Sequence, residues 1–218
     1  MAREVVLLGK GSLAVRIAGW FHAHPDYELA RIVPVVPEPA WTDSLTAWAE
    51  GAGVPYVASG HYRDLPGLAD GSAAFDLVFS VFYDKIIRAD FIDSCRRILN
   101  LHNGPLPRYR GVSPVNWALK NGEGAHGTTI HEITPGIDDG PIVSQVTYSI
   151  YPDLDEVEDA YARSLEYGYT LFAQTMPLLD RIVVRPQDDS RATYYSSAEN
   201  ELLGERRHFT RRQSAGGG

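Results

Sequence analysis

The sequence predicts an α/β protein: a Rossmann-like, mainly parallel sheet with helices on both faces, followed by a short C-terminal extension. Three observations predict it. Short apolar runs of strand length alternate with amphipathic stretches of helix length through the first half of the chain. Glycine and proline clusters sit between them, where strand-to-helix turns belong. The 218 residues are 44% hydrophobic and 11% aromatic, enough to bury the core that a covered sheet requires.

Each element follows in order. Residues 4–8 are a Val/Leu run that stops at Gly9-Lys10-Gly11-Ser12. Residues 13–24 are an amphipathic helix whose apolar members include Val15, Ile17, Ala18, Trp20 and Phe21. Residues 29–36 are a second strand, halted by Pro37 and Pro39. Residues 41–51 read as a helix capped by Thr42, and residues 54–57 as a short strand. Residues 76–81 form a strong strand, 91–97 a helix and 98–102 another strand. This βαβ alternation favours parallel pairing. It places a functional site beyond the carboxyl ends of the strands.

The second half changes character. A Pro/Gly-rich loop covers residues 103–114, and a helix covers 115–121. Two strands are expected at 128–134 and 141–150, separated by Pro135-Gly136-Ile137-Asp138-Asp139-Gly140. A long helix spans 154 to about 182, broken or kinked at Pro177. These elements form one catalytic domain, residues 1–183. Residues 184–218 are polar and carry Arg206, Arg207, Arg211 and Arg212, read as a solvated charged face. They form an extension with a disordered glycine end.

Composition excludes several functions. With 20 Lys+Arg against 28 Asp+Glu the net charge is -8, which disfavours general nucleic-acid binding. The lone Cys95 rules out an internal disulfide and a cysteine metal cluster, and suits a reducing cytoplasm. Its neighbours Arg96 and Arg97 would lower its thiol pKa, but no base accompanies it. The apolar runs fall far short of the roughly 20 residues that span a bilayer, and the N-terminus lacks the form of a signal peptide. No membrane partner is expected. His22 and His24, two apart on a helix, do not share a face, and no metal is expected.

Asn100 and His102 are the richest pair. Strand alternation puts them on one face, where an amide can steady a developing oxyanion and an imidazole can move a proton. Two hydrogen-bonded polar residues at a strand end would look the same. Asp138-Asp139-Gly140 offers a carboxylate to orient a histidine, or an ordinary Asp-Gly turn. Gly9-Lys10-Gly11-Ser12 before a helix can cradle a phosphate, or simply make a tight βα turn. His131 reads as structural or near the site.

The stretch Asn100-Leu101-His102-Asn103-Gly104-Pro105-Leu106-Pro107-Arg108-Tyr109-Arg110-Gly111 resembles the signature of the folate-dependent formyltransferase superfamily. That superfamily includes glycinamide ribonucleotide transformylase, methionyl-tRNA formyltransferase and the sugar N-formyltransferases. His126-Gly127-Thr128-Thr129-Ile130-His131 and Gly136-Ile137-Asp138-Asp139-Gly140-Pro141-Ile142-Val143 resemble the strand and loop that carry the family's aspartate. The resemblance covers residues 75 to 150. It implies a catalytic trio of Asn100, His102 and Asp138, with 10-formyltetrahydrofolate as formyl donor and no metal. It assigns Lys85, Ile86, Ile87 and Asp139 to the donor. It assigns Gly11, Ser12, Asn103, Gly104, Pro105 and Arg110 to the acceptor.

The acceptor is then a small-molecule primary amine. Pro107-Arg108-Tyr109-Arg110-Gly111 and Ser113-Pro114-Val115-Asn116-Trp117 look most like sugar N-formyltransferases. The short stretch after Ile182 and the acidic balance of the whole chain disfavour the tRNA enzyme, and an amino sugar on a nucleotide carrier is expected. The alternatives are an amino acid or hydroxyornithine-type amine, glycinamide ribonucleotide, and hydrolysis of the donor. A homodimer through the C-terminal half is a further expectation.

Overall fold

The computed structural model describes residues 2–72 and 74–204. The arginine cluster from Arg206 to Arg212 and the glycine end at 216–218 lie outside the described residues. The elements are β1 (Arg3–Gly9), α1 (Gly11–Ala23), β2 (Tyr27–Pro34), α2 (Leu45–Ala52), β3 (Leu77–Val81), α3 (Ala89–Asp93) and β4 (Ile98–His102). They continue as β5 (Arg110–Gly111), α4 (Pro114–Lys120), β6 (Ala125–Glu132), β7 (Ile142–Ser149), α5 (Val157–Thr175) and β8 (Tyr194–Tyr195).

Six strands form one sheet in the order β2-β1-β3-β4-β6-β7. The β2–β1, β1–β3 and β3–β4 pairings are parallel, while β4–β6 and β6–β7 are antiparallel. Only β6 therefore runs against the other strands of this sheet, and the mainly parallel α/β architecture expected from the sequence is observed. β5 and β8 pair separately, in parallel. No helix among the described residues is long and apolar enough to cross a membrane.

Alternation along each strand splits the core in two. Val5, Leu7, Leu77, Phe79, Leu99 and Leu101 face one side, where α1, α2 and α5 bury Leu13, Ile17, Phe21, Leu45, Ala49 and Phe172 against them. Val6, Leu8, Val78 and Ile98 face the other side and meet Tyr62, Ile87 and Phe91. The second side is covered thinly, by the five-residue α3 and a 3₁₀ turn at Tyr62–Asp64. Asn100 and His102 alternate with Leu99 and Leu101, so they lie on this thinly covered face.

Several boundaries differ from expectation, each through a tertiary contact. The helix expected over 91–97 stops at Asp93 because the next backbone joins the sheet. Arg96 N–H donates to the Phe75 carbonyl at 2.7 Å, and the Arg97 carbonyl accepts from Val78 N–H at 2.9 Å. α2 starts at Leu45, where the Ser44 hydroxyl accepts from Ala47 N–H at 2.9 Å, so the cap is Ser44 and not Thr42. The strand expected at 54–57 reduces to a single bridge between Ile32 and Tyr56. α5 ends at Thr175, and Pro177 lies in a 3₁₀ turn, Met176–Arg181.

Gly9 marks where β1 and β3 approach most closely. A β-carbon there would overlap the Val81 carbonyl oxygen, and Lys10 N–H donates to that same oxygen at 3.2 Å. Gly9→Ala is expected to lower stability by roughly 1–3 kcal/mol through overpacking. Urea unfolding measures this, and a midpoint equal to wild type would mean that the strands can spread at no cost.

Candidate active site

The sheet register builds the first half of the site. β6 runs antiparallel to β4 and sets His131 opposite Asn100, with Thr129 opposite His102. His131 Nδ1 lies 2.8 Å from the Glu132 carbonyl, which only accepts, so Nδ1 carries the hydrogen. Nε2 of the neutral ring then accepts from Asn100 Nδ2 at 3.2 Å. One Asn100 N–H is spent on this bond. The other is not used by it.

The β6–β7 loop supplies the second half. It folds back over the thin face, and Asp138 adopts a left-handed backbone with φ 51°. This conformation is unfavourable for a non-glycine residue and needs support from its surroundings. Asp138 Oδ2 accepts from Gly111 N–H at 2.9 Å and stands 3.5 Å from His102 Nδ1. Oδ1 stands 3.4 Å from His131 Nε2. Burial alone would raise the Asp138 pKa. The nearby His102 and His131, with the Gly111 N–H, outweigh it and hold the carboxyl well below the usual carboxylate range. Asp138 is therefore an anion set between two imidazoles.

His102 has one ring nitrogen committed and the other facing Asp138. Its Nε2 donates to the Tyr109 carbonyl at 2.7 Å, which fixes the neutral tautomer and leaves Nδ1 facing Asp138. A proton arriving on Nδ1 points directly at the carboxylate. Gly104 makes room for this geometry, since a β-carbon there would stand 2.7 Å from His102 Nε2 and 3.0 Å from the Tyr109 carbonyl.

The structure thus brings Asn100, His102 and Asp138 together, with His131 among them. Other expected positions fall elsewhere. Asp139 does not join them: its carboxylate accepts from the Thr134 hydroxyl. The Asn103 side chain turns inward, donating to Ser164 Oγ at 2.8 Å and accepting from Thr128 Oγ1 at 3.3 Å. Arg110 is held by Gln187 and Asp189. Gly104 backs His102, and Pro105 packs over Gly127. At α1, the Ser12 N–H and hydroxyl both meet Thr42 Oγ1, at 3.0 and 3.1 Å, so a side chain occupies the amide where a phosphate was considered.

The 82–88 loop follows β3, beside β4. Ile87 is buried in the second core cluster, whereas Ile86 is 66% exposed. Lys85 pairs with Asp84 at 3.2 Å. Lys85 and Ile86 line a surface cavity of about 860 Å³ with His61, Arg63 and Arg88. Cys95 departs from expectation. Burial pushes its thiol up to about 11, while Arg96 and Arg97 are drawn off to Asp76 and Glu132.

Sequence reasoning missed the backbone groups of Tyr109 and Gly111 and the side chain of Gln187. It left His131 undecided. The antiparallel register is the signal that puts His131 opposite Asn100, and it needs the pairing of β4 with β6 to be known.

A buried imidazole flanked by a half-buried amide and carboxylate, carried on a mainly parallel α/β sheet, is an arrangement suited to acyl transfer. Residues 69–176, just under half of the chain, match the family model described as "Formyl transferase", in agreement with the folate-dependent formyltransferase superfamily that the sequence motifs resemble. It is similar to the methionyl-tRNA formyltransferase of Deinococcus radiodurans, with 34% identity over 178 residues, 79% of this chain and 53% of that one. The chain spans about half the length of the curated relatives it matches. It is similar to the crystal structure of WlaRD, a sugar 3N-formyl transferase in the presence of dTDP and 5-N-formyl-THF. That likeness has TM-score 0.75 and 25% identity, covering 91% of this chain and 71% of that one. Glycinamide ribonucleotide transformylase 1 from Symbiobacterium toebii superposes with TM-score 0.67 at 25% identity, covering 86% of this chain and 95% of that one.

Proposed function

We propose that this protein moves a formyl group from 10-formyltetrahydrofolate to the primary amine of a nucleotide-linked amino sugar. The observation that carries this reading is the convergence of Asn100, His102 and the anionic Asp138 on one face of the sheet. The acceptor nitrogen forms a bond to the formyl carbon, and the bond from that carbon to the donor nitrogen breaks. The unspent Asn100 N–H meets the formyl oxygen as negative charge develops there. His102 takes the proton released by the amine at Nδ1, against Asp138, and delivers it to the leaving nitrogen.

The donor side fits the residues present. The 82–88 loop offers backbone edges and the apolar Ile86 to a pterin. Arg63, Lys85 and Arg88 around the adjacent cavity offer positive charge to the carboxylates of a folate tail. The likeness to a sugar 3N-formyl transferase supports the sugar acceptor. The methionyl-tRNA formyltransferase relatives favour a second reading, formylation of an aminoacyl-tRNA, against which the net charge of -8 weighs.

An acceptor screen tests this. Protein and 10-formyltetrahydrofolate are mixed with nucleotide-linked 3-amino and 4-amino sugars, glycinamide ribonucleotide, hydroxyornithine and methionyl-tRNA, and products are weighed by mass spectrometry. A formyl group gained by an amino sugar is the expected result. Formylation of another amine moves the acceptor, and formate release without any amine replaces transfer by hydrolysis.

A further inference from the structure

We propose that Gln187 is a positioning residue for the reactive centre: it clamps the backbone at Asp138 and again two residues on, at Gly140, and so aims the Asp138 carboxylate at His102. The inference rests on the formyl-transfer reading for its consequence, though not for its geometry. Gln187 lies outside the segment that matches the family model, in the stretch read from sequence as an extension.

The geometry is unusually complete. Gln187 Nε2 donates to the Asp138 carbonyl at 2.8 Å and to the Gly140 carbonyl at 2.8 Å. Gln187 Oε1 accepts from Arg110 Nε at 3.1 Å and from the Arg110 terminal nitrogen at 2.7 Å. The amide orientation is not arbitrary. One end faces two carbonyls that only accept, and the other faces a guanidinium that only donates. Both N–H groups and the oxygen of one side chain are therefore committed, and a left-handed Asp138 is what they brace.

The same side chain couples two loops. Arg110 belongs to the loop whose Gly111 N–H holds Asp138 Oδ2 and whose Tyr109 carbonyl holds His102 Nε2. The 185–195 backbone fastens both ends of the arrangement. Arg185 exchanges two backbone hydrogen bonds with Ile142, at 2.7 and 2.9 Å. Arg110 N–H donates to the Thr193 carbonyl at 2.9 Å, and Val112 N–H to the Tyr195 carbonyl at 2.9 Å. Gln187 sits between these anchors, at the point where Asp138 and its supporting loop meet. A glutamine side chain is what this place needs. A methionine has similar length and no polar end, and a glutamate has no N–H for the two carbonyls.

The test uses Gln187→Met, which is charge-neutral, in the full chain. Amide exchange by NMR is read at three successive residues without any substrate. Arg110 and Val112 report the backbone anchors, and Gly111 reports Asp138. Exchange at Gly111 at least 10-fold faster, with Arg110 and Val112 unchanged, is the expected result. All three unchanged, or all three faster together, overturns the proposal, because Gln187 then either holds nothing or only fastens the segment. Steady-state kinetics form the second arm. kcat falls by about 10-fold or more while KM for donor and acceptor stays within about twofold, as misaimed chemistry requires. An unchanged kcat overturns the positioning role. Should wild-type protein formylate no amine, the formyl-transfer reading fails and the exchange arm still decides the clamp.

Discussion

Asn100→Ala is expected to lower kcat by roughly 100- to 1000-fold, and His102→Ala by roughly 100- to 10,000-fold, with the fold intact. The two losses have different origins. Asn100→Ala removes the donor that meets the developing oxyanion. His102→Ala removes the acceptor of the amine proton and leaves Asp138 without one of its two imidazoles. Both side chains sit on the thin face of the sheet, where truncation leaves the packed Leu99 and Leu101 side untouched. Circular dichroism should therefore stay native while turnover collapses. His131→Ala provides the internal comparison, since it frees the Asn100 amide to rotate and should produce a smaller fall than Asn100→Ala. Wild-type turnover by His102→Ala would remove the proton-transfer role outright.

Asp138→Asn is expected to act on turnover and on stability, and the effect on stability depends on pH. Turnover falls by roughly 100-fold or more, because a proton on His102 no longer meets a charge. For stability the sign follows from the depressed pKa. A carboxyl held below its ordinary value of 3.8 contributes stability that is fully present above that value and is lost as pH falls through the lowered folded pKa. Asp138→Asn should thus unfold more easily than wild type at neutral pH, by roughly 1–3 kcal/mol for a buried charged hydrogen-bonded group. The gap should close as the pH drops well below 4. Urea unfolding at a series of pH values measures it. A gap that stays constant into strong acid would mean that Asp138 is not the anion its neighbours imply.

Much of the fold was legible because strands covered on both faces read as near-continuous apolar runs, as in Val5 to Leu8 and in Leu77 to Val81, where Ser80 alone is polar. The errors lie where a distant partner decided the backbone. Arg96 and Arg97 look helical until their amide and carbonyl are taken by β3 and its lead-in strand. Thr42 is a good cap by type, yet its hydroxyl serves Ser12 and leaves the capping of α2 to Ser44. In the site, Asn100 and His102 were legible because their two-residue spacing fixes a shared face. The Asp138-Asp139-Gly140 turn offered a carboxylate without separating it from an ordinary turn, and motif resemblance singled out Asp138. Its hold on Gly111 and the clamp by Gln187 span 27 and 49 residues, and no local pattern encodes contacts of that range.

The uneven cover of the sheet has a consequence for how the reactive centre ages and varies. Asn100, His102 and His131 are carried by adjoining strands in the interior of the sheet, whose opening requires much of the core to come apart. Asp138, Gly111 and the Tyr109 carbonyl belong to segments laid on that sheet, bonded to one another through Gly111 and Gln187 and to the sheet through His102. The centre is therefore assembled from parts of different local stability: a half embedded in the sheet interior, and a half on surface segments whose opening costs less. Catalysis should fail on heating before the protein unfolds, and sequence change in the loops can retune the enzyme without touching the scaffold that bears its most permanent residues.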